Sequence, residues 1–228
     1  MSYPLIIKDD FFKDPDSIAK IIKEVDYSVV EKSYPGVRSK TIHELNLKLF
    51  LYISQQIFLL LHDKFPDSYN MSMRFQKIKP FDEGDKWNRK NLGWIHRDNC
   101  LFGGLIYLDK NPDKDAGTGI YKSIDGFDAQ TQESLDAKEL LYSGEVIDDE
   151  YYYDAYDAMR NEYEETVRIC NLYNRLVLIP GNQLHAMTTT GNKERNTLVF
   201  FCHNLEGVSP PEYKENSIIA IPNHVLYT

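Results

Sequence analysis

From Met71 onward the chain changes period, and that change constrains its fold more than any other feature. Met71-Ser-Met-Arg-Phe-Gln-Lys-Ile78 alternates apolar and polar residues, the pattern of a half-buried strand. Strand-like runs follow at Gly93–Arg97, Leu101–Leu108, Ile120–Ser123, Arg175–Pro180, Leu184–Thr188 and Asn196–His203, with turn signals such as Gly181-Asn182 and Gly191-Asn192 between most of them. Before Met71 the texture is helical. After a short strand at Tyr3–Ile7, Asp14-Pro15-Asp16-Ser17 signals a helix start, and Ile18, Ile21, Ile22 and Val25 recur at helical spacing. A second helix is expected from about Ile42 to Lys64, with enough apolar positions to pack broadly on a sheet. Helices first and strands afterwards predict an α+β fold, a jelly roll buttressed by N-terminal helices.

The 228 residues match one domain of the larger single-core kind. Residues 1–70 form a mainly helical support and 71–123 with 173–204 the jelly-roll core. Residues 124–172 form an insertion, whose stretch from Glu145 to Glu165 holds nine acidic residues against Arg160 alone, interleaved with Tyr151, Tyr152, Tyr153, Tyr156 and Tyr163. The plainer reading is a solvated helix with some rings tucked onto the barrel; the sharper one is a lid that gathers a cationic substrate. The net charge of −9 argues against a nucleic-acid partner, since affinity for phosphate backbones comes mainly from Lys and Arg. Cys100, Cys170 and Cys202 show no C-x-x-C spacing, which argues against a disulfide framework or zinc cluster and for a reducing compartment. With no basic, apolar leader and no clean membrane span, the expected location is the cytoplasm.

The chemistry concentrates at Gly93-Leu-Trp-Ile-His96-Arg-Asp98-Asn99. On an extended segment His96 and Asp98 point to one side and offer a nitrogen and a carboxylate oxygen to one point. His185, just past the Gly181-Asn182 turn, is the best third ligand; His43, His62, His203 and His224 read as packing or surface residues. Two His and one carboxylate leave half of an octahedral ion open, the arrangement of non-haem iron oxygenases. Ten residues after His185, Arg195 and Thr197 share a strand face. A guanidinium facing an apolar interior calls for an anion, and a carboxylate of a small diacid matches its planar fork.

H-x-D, a distant His and R-x-[ST] about ten residues later together resemble the Fe(II)/2-oxoglutarate-dependent dioxygenases, and within them the prolyl 4-hydroxylase-like group. His96-Arg-Asp98-Asn99 looks like the H-x-D-N of those hydroxylases, Leu105-Ile-Tyr107-Leu108-Asp109 like their "YLN" strand, and Gly117-Thr-Gly-Ile-Tyr121 like their "GG-x-L-x-[FY]" strand. Arg175–Pro180 is similar to the strand leading to their distal His. The resemblance spans roughly Met71 to Asn204, apart from the insertion. It implies a double-stranded β-helix of cupin-like type, with Fe(II) held by His96, Asp98 and His185. It also implies 2-oxoglutarate bound by Arg195, Thr197 and Tyr107, with O₂ as oxidant. No further catalytic acid or base is needed. Asp98, where related halogenases carry a small residue, favours hydroxylation. The expected substrate is a C–H bond of a protein side chain, amino acid or small metabolite, with Trp94, Arg97 and Asn99 as candidate contacts; Trp87, Arg89 and Lys90 also lie near the motif. The competing readings are a catalytically silent jelly-roll binding module, which would show an eroded ligand set, and a zinc-dependent cupin-like protein, which has no use for Arg195 and Thr197.

Overall fold

The structure is a computed structural model that describes residues 3–29, 33–126, 131–209, 211 and 219–220. The chain opens with β1 (Ile6–Lys8), α1 (Pro15–Glu24) and β2 (Val37–Arg38), followed by α2 (Ile42–Leu45), α3 (Leu47–Leu61) and β3 (Ser68–Ile78). Next come β4 (Phe102–Tyr107), β5 (Thr118–Ser123), α4 (Gln132–Ser143), α5 (Asp149–Asn161) and β6 (Tyr163–Ile169). The last strands are β7 (Leu176–Pro180), β8 (His185–Met187), β9 (Arg195–Glu206) and β10 (Ile219–Ala220).

Helix α1 starts as its sequence dictates: the Asp14 carboxylate accepts from the Ser17 amide at 3.2 Å, and Pro15 fills a first-turn position that has no N–H partner to lose. The long helix expected over 42–64 is two helices that end at Leu61. Asn46 breaks it, because its side chain accepts from the Leu49 amide at 3.0 Å and caps a new helix instead of continuing the old one. Nor is α3 buried broadly. Phe50, Ile53, Ile57, Phe58 and Leu61 face inward, while Leu47, Leu51 and Leu59 remain exposed.

Strands are arranged as β10-β1-β7-β4-β9-β3-β2 in a seven-stranded sheet and β6-β5-β8 in a three-stranded one. All pairings are antiparallel except the parallel edge pair β1–β10. Side-chain alternation splits the core into layers. Phe102 and Ile106 of β4, with Leu198, Phe200 and Cys202 of β9, pack against α1 and α3. Tyr107, Val177 and Ile179 on the opposite face of the large sheet meet Ile120 and Ile169 of the small one. A further core lies beyond, where α4 and α5 cover Trp94, Ile95, Tyr121, Leu184 and Ala186.

The acidic, Tyr-rich segment therefore contributes more than one solvated helix: α4 and α5 form a helical pair, and β6 is an edge strand of the small sheet. Tyr152, Tyr156 and Tyr163 are buried, and only Tyr151 is appreciably exposed. Two of its carboxylates are paired with cations, Asp157 with Arg89 and Asp149 with Lys90. The strand expected at Gly93–Arg97 is reduced to a single bridge between His96 and His185.

Candidate metal centre

That bridge builds the site. The His96 amide donates to the His185 carbonyl and the His185 amide donates back to His96, each at 3.0 Å. A pair that exchanges both backbone bonds holds its two side chains on one face about 5.5 Å apart at Cα. The imidazole centroids are accordingly 4.5 Å apart. Asp98 enters two residues on, its amide bonded to the Gly181 carbonyl at 3.1 Å. Gly181 is required there, since a Cβ would stand 1.8 Å from the Cys100 carbonyl oxygen. The Asp98 carboxylate lies 3.7 Å from His96 Nε2 and 3.4 Å from His185 Nε2. Ligand atoms of all three residues fall within 4.8 Å of one another, close enough to share one ion.

Both imidazoles are oriented by the backbone. His96 Nδ1 donates to the Trp94 carbonyl at 2.8 Å, and His185 Nδ1 donates to the Gln183 carbonyl at 2.9 Å. Each ring thus has its proton on Nδ1 and its lone pair on Nε2, facing the carboxylate, as metal-ligating histidines require. Burial and the neighbouring His185 hold His96 below the usual imidazole range, which keeps it neutral. His185 is nearly enclosed, whereas the His96 side chain is 39% exposed, so the centre opens on the His96 side. Beneath the carboxylate lies Gly103 of β4, where a Cβ would meet Phe201 at 3.0 Å and an Asp98 oxygen at 3.2 Å.

Farther along the same face of β4, four residues or about 13 Å from Gly103, stands Tyr107. It is fully buried and paired in register with Thr197 of β9. Arg195 is 4% exposed, with its guanidinium carbon 5.3 Å from the Tyr107 ring centroid. Its Nε has no hydrogen-bond partner, and among the described residues no carboxylate lies within ion-pair distance. Asp109, the nearest acid to act on it, is instead bonded to Asn196 through both its amide and its side chain. Burial pulls Arg195 below the usual guanidinium range and pushes Tyr107 up. The structure thus brings Arg195, Thr197 and Tyr107 together in a polar cluster inside an apolar sandwich.

Sequence reading missed two members of this neighbourhood. Thr118 shares a 2.8 Å hydrogen bond with the Tyr107 hydroxyl. Its signal was the period-two spacing to Ile120, which pairs with His185. Gly103 escaped notice because a glycine in a strand carries no chemistry of its own. Of the candidate substrate contacts, Trp94 is 2% exposed, its indole N–H bonded to the Tyr152 hydroxyl at 3.0 Å. It packs the core under α5. Arg97 and Asn99 are exposed, and the Asn99 carbonyl is 3.2 Å from His203 Nδ1. Arg89 and Lys90 are tied to α5, and Trp87 lies beneath the ammonium of Lys86. His43 is edge-on to Phe50 and His62 to Tyr3, both packing roles, while His224 lies outside the described residues. All three cysteines are free.

Residues 1–196 match a protein family described as a family of unknown function (DUF6445), and the chain belongs to it. No curated protein sequence matches the chain. Among solved structures it is similar to HygX from Streptomyces hygroscopicus, determined with nickel and 2-oxoglutarate bound (TM-score 0.54, 8% identity, 89% of this chain and 83% of that one). A Pseudomonas putida prolyl-4-hydroxylase aligns at a TM-score of 0.44 and 11% identity, over 89% of this chain and 93% of that one. The non-heme alpha ketoglutarate dependent carbocyclase SnoK from nogalamycin biosynthesis aligns at 0.46 and 12%, over 95% and 90%. The likeness to HygX is one of fold: helices packed on antiparallel sheets of the jelly-roll type seen in 2-oxoglutarate oxygenases.

Proposed function

We propose that this protein is a non-haem Fe(II)- and 2-oxoglutarate-dependent oxygenase that hydroxylates a C–H bond of an amino acid, a small metabolite or a protein side chain. The observation that carries the reading is the coincidence of two separate devices on one inner surface. Two histidines and an aspartate aim their lone pairs at a common point, and a buried guanidinium waits without a carboxylate. Burying Arg195 without a carboxylate partner opposes folding.

In this reading His96 Nε2, Asp98 and His185 Nε2 would hold the iron. Arg195, Thr197 and Tyr107 bind the far carboxylate of 2-oxoglutarate, with Thr118 orienting the Tyr107 hydroxyl. Bound there, the iron would supply the oxidation of a substrate C–H to C–OH by O₂, coupled to conversion of 2-oxoglutarate to succinate and CO₂. The sandwich excludes water from the anion cluster, which strengthens the guanidinium–carboxylate pair. The Trp94 and Gln183 carbonyls keep both imidazoles in the ligating tautomer. The core strands of 71–123 and 173–204 would then be a double-stranded β-helix, and the whole chain one oxygenase domain. No helix among the described residues is long and apolar enough to cross a membrane, and three unpaired cysteines are in keeping with the reducing cytoplasm.

The test is succinate release from 2-oxoglutarate by protein loaded anaerobically with Fe(II), then exposed to O₂ with a panel of metabolites and peptides. Activity is expected in the wild-type protein and its loss in His96→Ala and His185→Ala. Iron binding by His96→Ala as tight as in the parent would refute the ligand assignment.

A further inference from the structure

Helix α1, the end of β3, the residues after β4 and the turn before β9 enclose a cleft of about 390 Å³ on the helical side of the large sheet. Strand alternation sets that side. Lys77 of β3 and Asn196 of β9 are opposite each other in register and both line the cleft, while their neighbours Gln76 and Thr197 lie on the face that carries Tyr107. The cleft is therefore separate from the candidate metal centre and does not depend on the oxygenase reading. Each of the four segments sends one lysine into the lining: Lys23, Lys77, Lys110 and Lys193. The carboxylates of the lining are Asp109 and Glu194.

Like charges gathered from separate segments repel one another, and elsewhere this acidic chain relieves its cations by pairing them. Lys86 meets Asp113, Arg89 meets Asp157, Arg168 meets Glu165 and Arg175 meets Asp9. In the cleft the pairing is incomplete. Lys110 is held by Asp16 at 2.7 Å, but no described carboxylate lies within ion-pair distance of Lys23, Lys77 or Lys193. Lys77 is half-buried, with its ammonium over the Tyr27 ring at 4.3 Å, a contact that steadies the charge without cancelling it. The Tyr27 hydroxyl donates to the Ile22 carbonyl at 2.7 Å, which fixes that ring. Lys193 donates to the Asn111 carbonyl and so ties together two of the loops that form the walls. Asp109 is already engaged, because Asn196 donates to it from its amide and its side chain, each at 2.8 Å. In the lining Glu194 is left to offset three unpaired ammoniums.

We propose that this cleft is a second ligand site, which binds the phosphate group of a small molecule through Lys23, Lys77 and Lys193. Ammoniums are point charges, and on separate stems they reach the diverging oxygens of a tetrahedral dianion from different sides. A planar carboxylate is better met by the fork of a guanidinium, and no arginine lines the cleft. The volume lies in the usual range for small-molecule sites, about 300–1,000 Å³, so there is room for an organic body beyond the phosphate. Ala19, Ile22 and Leu108 give that body an apolar surface to lie on.

The test is calorimetric titration of the full-length, metal-free protein at low salt with inorganic phosphate, glucose 6-phosphate and citrate. The wild-type protein is expected to bind at least one of the two phosphates, more weakly as NaCl is added. Tighter binding of inorganic phosphate supports a site for the free ion, and tighter binding of the sugar phosphate supports a site for a phosphate ester. Lys77→Gln should weaken the binding about tenfold, the loss of one charge-assisted hydrogen bond, and Lys23→Gln by a smaller factor. Lys48→Gln removes the same charge from an exposed position on α3 and should leave the binding unchanged. The proposal is overturned if neither phosphate binds the wild-type protein, or if citrate binds more tightly than both. Equal weakening by Lys48→Gln and Lys77→Gln overturns it too, since the attraction would then be one of diffuse surface charge.

Discussion

Replacing Arg195 by methionine is expected to make the ligand-free protein more stable and, under the proposed function, to abolish 2-oxoglutarate binding. The guanidinium is 4% exposed, its Nε is unbonded, and its visible compensation is the Tyr107 ring and hydroxyl. A methionine of similar length fills the same space without a charge to desolvate. Hydrophobic replacement of buried ionic groups typically stabilises by about 1–4 kcal/mol. A gain of about 2 kcal/mol would raise the melting temperature of a chain this size by roughly 4–8 °C. The same substitution removes one side of a charged pair, costing about 2–5 kcal/mol of 2-oxoglutarate affinity, or roughly 30- to several-thousand-fold. With Ni(II) present and 2-oxoglutarate at about 100 times Kd, the wild-type protein gains about 2.7 kcal/mol and the variant almost nothing. Scanning calorimetry of both proteins, with and without the two ligands, should show the difference in melting temperature shrink or reverse on loading. A variant that melts below the parent without ligands would refute the reasoning, because Arg195 would then be a satisfied structural residue.

Gly103→Ala places a methyl 3.0 Å from Phe201 and 3.2 Å from the Asp98 carboxylate. It should weaken Ni(II) binding about 10- to 100-fold, the usual range for disturbed ligand supports, with little change in metal-free melting. Tyr152→Phe strands the buried Trp94 indole N–H and should cost about 1–3 kcal/mol in denaturant titrations, with unaltered stability counting against the hydrogen bond. His96 is held below the usual imidazole range, so the unfolded chain takes up this proton first as pH falls through about 6.5. The metal-free fold should therefore lose stability below that pH, until the depressed folded value is passed, and His96→Gln should flatten the slope between about pH 7 and pH 5. A stability that rises on acidification over that range in the parent would contradict the assignment.

The large sheet was legible from short apolar runs bounded by turn residues and, at one strand, from alternation, the local signature of two differently solvated faces. Met71–Ile78 shows it, whereas Leu198–Cys202 is a continuous apolar run, the mark of a central strand covered on both faces; β3 and β9 pair along their length. The convergence of His96 and Asp98 was legible because H-x-D on an extended segment turns two donor side chains the same way without help from the rest of the chain. What escaped depended on partners distant in sequence. The break at Asn46 is a competition between a side chain and a helical turn that apolar periodicity does not register. The burial of Tyr152 and Tyr156 was hidden by the acids around them, two of which, Asp157 and Asp149, are met by Arg89 and Lys90 some 60 residues earlier. Trp94 reads as a surface aromatic beside a motif until α5 is seen to cover it.

The reciprocal backbone bonds between His96 and His185 have a consequence for which metal the protein would carry. Peptide geometry sets the spacing of the two imidazoles, and carbonyls already fix their tautomers, so the ligands stand assembled before any ion arrives. A rigid set of two nitrogens and one oxygen, with the remaining positions left to small molecules, holds little power to reject a competitor. Its affinities should climb from iron through cobalt and nickel, with zinc also accepted. Which ion the purified protein contains would then record the supply it met while folding, and the same nitrogen–oxygen set that suits iron would give it no defence against an inert occupant.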